Sequence, residues 1–124
     1  MLIIRAAQMK VLDLAARLSN LQPYVDHVRQ CHPEAAEKIG EVDLPAYLAS
    51  ALTRAFDYGI ETTPDYFRFL DLAVLFGLDW SKEDLKWMPE CLSDQSLPNA
   101  SARMDKLYLT AMYNLEGAAE TETE

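Results

Sequence analysis

Three residues with metal-binding side chains lie close together in the first third of the chain: His27, Cys31 and His32. His27 and Cys31 are four positions apart, so a helix would carry both on one face. A structural zinc site needs four such ligands, and Cys91 has no second ligand beside it. We therefore predict no metal and no cofactor, with Cys31 in the core and one or both histidines near the surface close to the helix end. The sequence leaves open whether these three residues ever bind a metal ion.

Residues for catalysis are sparse. Carboxylates such as Asp65, Asp71 and Asp79 would form an acid–base pair only if the fold brought them together, and no spacing in the sequence indicates that it does. The four glycines are scattered and form no phosphate-binding loop, and neither a nucleophile elbow nor a zinc-protease helix motif occurs. We predict no catalytic residues and no enzymatic activity.

The segment "DWSKEDLKWMPE", residues 79–90, alternates large apolar side chains with acidic ones. Tryptophan and methionine inside an acidic rim are typical of protein interfaces, where tryptophan is enriched among the residues that carry binding energy. The predicted partner-binding residues are Asp79, Trp80, Glu83, Asp84, Trp87 and Met88. Two simpler interpretations remain open, in which Trp80 only staples a helix start and Trp87 only fills the core.

The stretch from Phe67 to Phe76 is almost wholly apolar but contains Arg68 and Asp71. On a helix these two charges share one narrow wedge, while apolar side chains occupy nearly the rest of the circle. Such a helix is normally buried on most sides. The wedge is either a solvent slit with an ordinary ion pair between positions i and i+3, or the part of a binding surface that orients a partner.

Helical periodicity supplies the elements that must position these residues. Apolar side chains recur at helical spacing near the amino terminus (Ala6, Met9, Leu12, Ala16), in the middle (Leu44, Leu48, Ala51, Leu52, Ala55, Phe56) and late in the chain (Met104, Leu107, Tyr108, Ala111, Met112, Leu115). We expect each stripe to be buried. A further helix is predicted to begin at Ser81, where Asp84 completes the cap, and to end before Pro89.

No segment alternates at period two for long, so the predicted fold class is all-α: a compact single-domain array of five to seven helices. The predicted boundaries are residues 1–116 for the helical domain and residues 117–124 for an acidic tail. That tail, "GAAETETE", is small, acidic and aperiodic, and we expect it to be disordered.

The overall charge bounds the class of partner. The chain has 11 lysines and arginines against 20 aspartates and glutamates, a formal net charge of −9. Because no basic surface is available to neutralise phosphates, we predict that it binds neither nucleic acid nor membrane. The apolar opening is too short for a signal peptide and no apolar run is long enough to span a bilayer, so we expect a cytoplasmic protein.

Five short segments, "IRAAQM", "HVRQCHPE", "YGI" with the threonines after it, "FLDLAVLFGLDW" and "RMDKLY", together extend over nearly the whole chain. In these segments the sequence resembles a family of small helical bacterial proteins encoded beside type VI secretion effector, PAAR-tip and adaptor genes. The resemblance places Asp71, Gly77 and Asp79 on recurrent positions of that family. It also favours Asp71 as a structural polar residue that ties the central helix to a neighbouring loop or helix end.

The resemblance implies a non-enzymatic, protein-binding accessory, a co-chaperone or adaptor for a type VI secretion effector. The alternative is an immunity protein, whose acidic surface would neutralise a cognate antibacterial toxin. In both cases the partner is a protein: an effector, its adaptor or a toxin domain. The sequence does not distinguish the two roles, and it leaves the oligomeric state and the packing order of the helices open.

Overall fold

The computed structural model describes the backbone of residues 2–80 and 85–123, with side chains for residues 8–80 and 85–114. These residues form seven helices and no strand, which confirms the all-α prediction. The chain divides into two compact units, Met1–Leu78 and Asp79–Glu124. Each unit is described by itself below. The predicted single domain over residues 1–116 stays a prediction.

The first unit contains five helices: α1 (Leu2–Ser19), α2 (Gln22–Cys31), α3 (Pro33–Ile39), α4 (Leu44–Asp57) and α5 (Thr63–Phe76). Helices α2 to α5 each have a proline in one of their first two positions, where no intrahelical N–H bond is lost. Gly40 and Gly77 follow α3 and α5 with φ angles of 95° and 81°, values that favour glycine. The prolines and glycines therefore set where these helices begin and end.

Helix α4 lies at the centre of the first unit and packs against α1, α2, α3 and α5. Its predicted apolar stripe is buried except at Phe56, which is half-buried. Tyr47 on the same helix donates a hydrogen bond of 2.7 Å to the Ala73 carbonyl of α5. The rest of this core comes from α2, α5 and the loop before α5: Tyr24, Val25, Val28, Ile60, Tyr66, Phe69, Leu70, Leu72 and Ala73.

The apolar stripe of α1 does not lie where the periodicity predicted it. Met9 is 68% exposed and Leu12 is 66% exposed. Ala16, one turn further on, is exposed too. Periodicity shows that one face of a helix is apolar, but it does not show that another element covers that face. The prediction of a buried face on α1 is therefore wrong for these residues.

The second unit contains α6 (Trp87–Leu92) and α7 (Ala100–Thr123), which pack against each other. Met104, Leu107 and Ala111 of α7 are buried as predicted, whereas Met112 is 48% exposed. The predicted cap at Ser81 and Asp84 lies outside the described residues. Pro89 falls in the first turn of α6, where proline is tolerated, and so it does not end a preceding helix as predicted.

Helix α7 extends through residues 117–123. The predicted disorder of the tail, residues 117–124, stays a prediction. Across the part of the chain that the structure describes, no helix combines the length and apolar character needed to cross a membrane.

Candidate functional site

The predicted interface residues of segment 79–90 differ in accessibility. Asp79 is exposed and Trp87 is half-buried. Trp80 is 6% exposed and Met88 is fully buried, so these two side chains are placed to support the fold rather than to contact a partner. Glu83 and Asp84 lie outside the described residues. Among the described residues of this predicted interface, Asp79 and Trp87 are therefore the accessible ones, and Glu83 and Asp84 stay predictions.

Asp71 on α5 is bonded by both histidines. Its Oδ1 atom lies 2.7 Å from His27 Nε2 and 2.9 Å from His32 Nε2. Because an ionised carboxylate only accepts hydrogen bonds, both Nε2 atoms act as donors in this arrangement. The contacts tie α5 to the middle of α2, through His27, and to His32, the residue between α2 and α3. This is the structural role that the resemblance implied for Asp71.

A break in the helix positions His32. Helix α2 ends at Cys31, and His32 has φ −135° and ψ 60° before Pro33 begins α3. A residue before proline is pushed out of the helical region, so the chain turns at this point. The turn brings the His32 ring to within 6.3 Å of the His27 ring, centroid to centroid. The His27 ring also packs against Phe67, with their centroids 4.8 Å apart.

Cys31 lies on the other edge of the His27 ring. Its Sγ atom is 3.7 Å from His27 Nδ1, whereas Nε2 faces Asp71. The Cys31 side chain is exposed, so the prediction that it lies in the core is wrong, whereas Cys91 is buried. Cys31 is the last residue of α2, and its helical spacing from the buried Tyr24, Val25 and Val28 does not show that its own side chain is exposed.

Arg68 pairs with a carboxylate one turn earlier on α5. Its Nη1 atom lies 3.6 Å from Asp65 Oδ1, and the Asp65 side chain is 8% exposed. Asp65 also accepts a 3.0 Å hydrogen bond from Thr62 Oγ1 at the start of the helix. The two charges of the wedge therefore face different partners, Arg68 towards Asp65 and Asp71 towards the histidines.

A groove beside α1 is a second candidate site. It has a volume of about 420 Å³, and Met9, Phe56, Ile60 and Tyr66 form its apolar lining. Four charged residues also line it: Lys10, Asp13, Asp57 and Glu61. Three carboxylates against one ammonium group make the lining acidic. Lys10 Nζ lies 2.9 Å from Glu61 Oε1, in an ion pair whose side chains are both 60% exposed.

Arg17 fixes α1 beside this groove. Its Nε atom donates to Asp13, and its Nη1 atom donates to Tyr24 at 2.9 Å and to Thr63 at 3.0 Å. Burial by itself would lower the pKa of the guanidinium, but the bonds to Tyr24 and Asp13 outweigh it and leave the pKa raised. For Tyr66 burial acts in the other direction: it raises the pKa of the phenol, and this effect exceeds the lowering by the nearby Arg17 charge. Arg17 is therefore a cation, and Tyr66 a neutral ring, at neutral pH.

Comparison of the chain with models of protein families, with curated protein sequences and with solved structures gave no match. The resemblance to a secretion-associated family therefore stays a prediction, and the function must be argued from the groove and the side-chain clusters themselves.

Proposed function

We propose that this chain is a non-enzymatic binding protein of the cytoplasm, a co-chaperone or adaptor that binds a type VI secretion effector or the adaptor that loads it. One observation carries the proposal: the apolar face of α1 is on the surface, with Met9 and Leu12 about two-thirds exposed. Large apolar side chains grouped on one exposed helix face are typical of interaction sites.

The chemistry of the groove defines the partner segment that would fit. Apolar side chains at the floor suit an anchor such as leucine or phenylalanine, and Asp13, Asp57 and Glu61 suit lysine or arginine beside that anchor. An amphipathic helix with a basic flank combines the two, and it docks through residues one turn apart. We therefore propose such a helix, in a non-catalytic segment of the effector or in its adaptor, as the occupant.

The type of partner is supported by the resemblance in the five segments quoted above. The groove lies in the first unit and includes Met9, the last residue of the "IRAAQM" segment, and Ile60, the last residue of "YGI". Two of the resembling segments thus contribute side chains to the proposed docking surface.

An immunity protein is the second candidate, and the charge favours it. The net charge of −9 and the carboxylates of the groove would complement the cationic active site of a toxin that acts on nucleic acid or phosphate. In that case the bound segment would belong to the toxin's catalytic domain.

Co-expression separates the two candidates. The chain is tagged and produced with a type VI secretion effector, either without its catalytic domain or as the catalytic domain alone, and with that effector's adaptor as a third partner. Capture at moderate salt removes contacts that rest on screened surface charge. Retention of the adaptor or the non-catalytic segment supports the loading role, whereas retention of the catalytic domain alone, with rescue of growth, assigns immunity.

Variants tie the result to the exposed apolar face of α1 and the groove beside it. Met9→Glu with Leu12→Glu should abolish capture, because two carboxylates replace the apolar face. Val42→Glu is the matched control, since Val42 is 91% exposed and is not part of the groove. Equal capture by all three proteins would contradict the proposed docking surface.

A further inference from the structure

The chain contains two histidines, and the fold brings both of them to one carboxylate. Asp71 is 44 positions from His27 and 39 positions from His32, so the grouping depends on the packing of α5 against α2 rather than on sequence proximity. Sequence spacing alone places only His27 and Cys31 on one helix face, and this pair has too few ligands for a metal site. The structure supplies the third group.

The three side chains form a donor set suited to a divalent metal ion. Imidazole nitrogen and carboxylate oxygen are the ligands of many zinc sites with two histidines and one acid, where water completes the coordination. The ligand atoms of His27, His32 and Asp71 all lie within 4.8 Å of one another. Two atoms bonded to one zinc ion lie at most about 4.4 Å apart, so these separations are close to those that one ion imposes on its ligands.

Binding of one ion requires the three ligand atoms to move to new separations. Zinc bonds of about 2.0–2.2 Å in a tetrahedral site place neighbouring ligand atoms about 3.3 Å apart. The two nitrogen–oxygen distances of 2.7 and 2.9 Å must therefore widen by about half an ångström. The two imidazole nitrogens, which lie within 4.8 Å of each other, must come to about the same 3.3 Å separation.

Access and orientation also fit an open site. The side chains of His27, His32 and Asp71 are 26%, 19% and 19% exposed, so an ion and a water molecule can reach them from solvent. Phe67 packs on the His27 ring, and Cys31 Sγ lies near Nδ1, which leaves Nε2 directed at Asp71. Contacts that hold a histidine ligand in one orientation typically strengthen metal binding.

We propose that His27 Nε2, His32 Nε2 and a carboxylate oxygen of Asp71 bind one Zn²⁺ ion, with water completing the coordination. Each imidazole then carries its proton on Nδ1 instead of Nε2, so that Nε2 presents its lone pair to the ion. Cys31 is not a ligand, because it lies on the opposite edge of the His27 ring. The bound ion links α2 to α5 and stabilises the first unit by binding the folded state alone. This inference does not depend on the proposed partner.

Zinc binding is measured on the full chain after dialysis against a chelator. Zn²⁺ is titrated in competition with a chromogenic chelator, and the proposal predicts one ion per chain. His32→Gln and Asp71→Asn should each weaken binding by at least about tenfold. Cys31→Ser and Asp26→Asn are the matched controls; Asp26 is an exposed carboxylate next to His27 on α2, and both controls should bind as the wild type does.

A wild-type readout covers the case in which a variant fails to fold. The chain has two histidines, so its imidazole proton resonances form two resolvable sets in an NMR spectrum. One equivalent of Zn²⁺ should shift both sets, and the melting temperature should rise. Sub-stoichiometric binding, a shift of only one ring, or loss of binding in Cys31→Ser would overturn the proposal; the same histidine contacts would then be a hydrogen-bond cluster without a metal.

Discussion

The guanidinium of Arg17 lies over the ring of Tyr66, with its central carbon 4.3 Å from the ring centroid. A cation over an aromatic face is attracted by the negative charge of that face, and the attraction is larger where water is excluded. The Arg17 side chain is only 13% exposed, less than the side chains of Lys10 and Asp13, which also form ion pairs from α1. One side chain thus joins α1 to α2 and α5.

Replacing Arg17 should destabilise the first unit. We expect Arg17→Met to lower the free energy of unfolding by about 1–3 kcal/mol, because Tyr24, Thr63 and Asp13 lose a charged donor. Urea denaturation followed by circular dichroism measures the change. Arg29→Met is the control: its pair with Glu41 is exposed, and its loss should cost no more than about 0.5 kcal/mol. Equal effects in the two variants would contradict the role assigned to Arg17.

Asp71→Ala should affect stability more than partner binding. The substitution leaves two part-buried imidazoles without their acceptor, which we expect to cost about 1–3 kcal/mol in a buffer with chelator. Thermal unfolding and partner capture are measured on the same preparation. Asp43→Ala is the control, since Asp43 precedes α4 without a side-chain capping bond. An unchanged melting temperature together with lost binding would reverse the assignment.

Variants of Asp79 and Trp87 test the accessible, described residues of the predicted interface in segment 79–90. If segment 79–90 binds the partner, Asp79→Ala with Trp87→Ala should weaken capture by at least about tenfold, since tryptophan is enriched among the interface residues whose truncation costs about 2 kcal/mol or more. Far-UV circular dichroism confirms that the helices persist. Trp87→Phe keeps an aromatic ring and should retain most of the binding. Undiminished capture by the double variant would end the case for this segment and leave the α1 groove.

The pair formed by Asp94 and Lys106 should make the second unit sensitive to acid. Lys106 Nζ lies 2.6 Å from Asp94 Oδ2, and this bond, with those from Ser96, holds the pKa of Asp94 well below its ordinary value of 3.8. A carboxyl with a lowered folded-state pKa stabilises the fold above its unfolded pKa, and this stabilisation is lost as the pH falls through the folded-state value.

Lys106→Met should therefore melt at a lower temperature than the wild type at neutral pH, and the difference should shrink as the pH falls below about 4. Because the pair is exposed, the difference should be small and should also fall in high salt. Lys38→Met removes a lysine from α3 instead and should show no such pH dependence. Melting curves from pH 7 down to pH 2 provide the comparison, and a constant difference across that range would refute the assignment.

The sequence predicts where the helices of this protein form better than it predicts which segments pack against them. The stripe of α4 and the stripe of α1 follow the same periodicity, yet Leu48 is fully buried and Leu12 is 66% exposed. Periodicity depends on one segment alone, whereas burial depends on which other segment covers it. The acceptor of His27 and His32 was hidden for the same reason, since Asp71 lies about 40 positions away and only packing brings it near.

The two thiols differ in a way that is useful for measurement. Cys31 is exposed, whereas Cys91 is 6% exposed and packed among the helices of the second unit. A thiol-reactive fluorophore should therefore attach at one defined position in the native protein, with no need for an engineered cysteine. That position is next to His27, so the emission of the dye would follow events at the junction of α2 and α3 in real time. Cys31 is thus a natural labelling site beside the cluster of His27, His32 and Asp71.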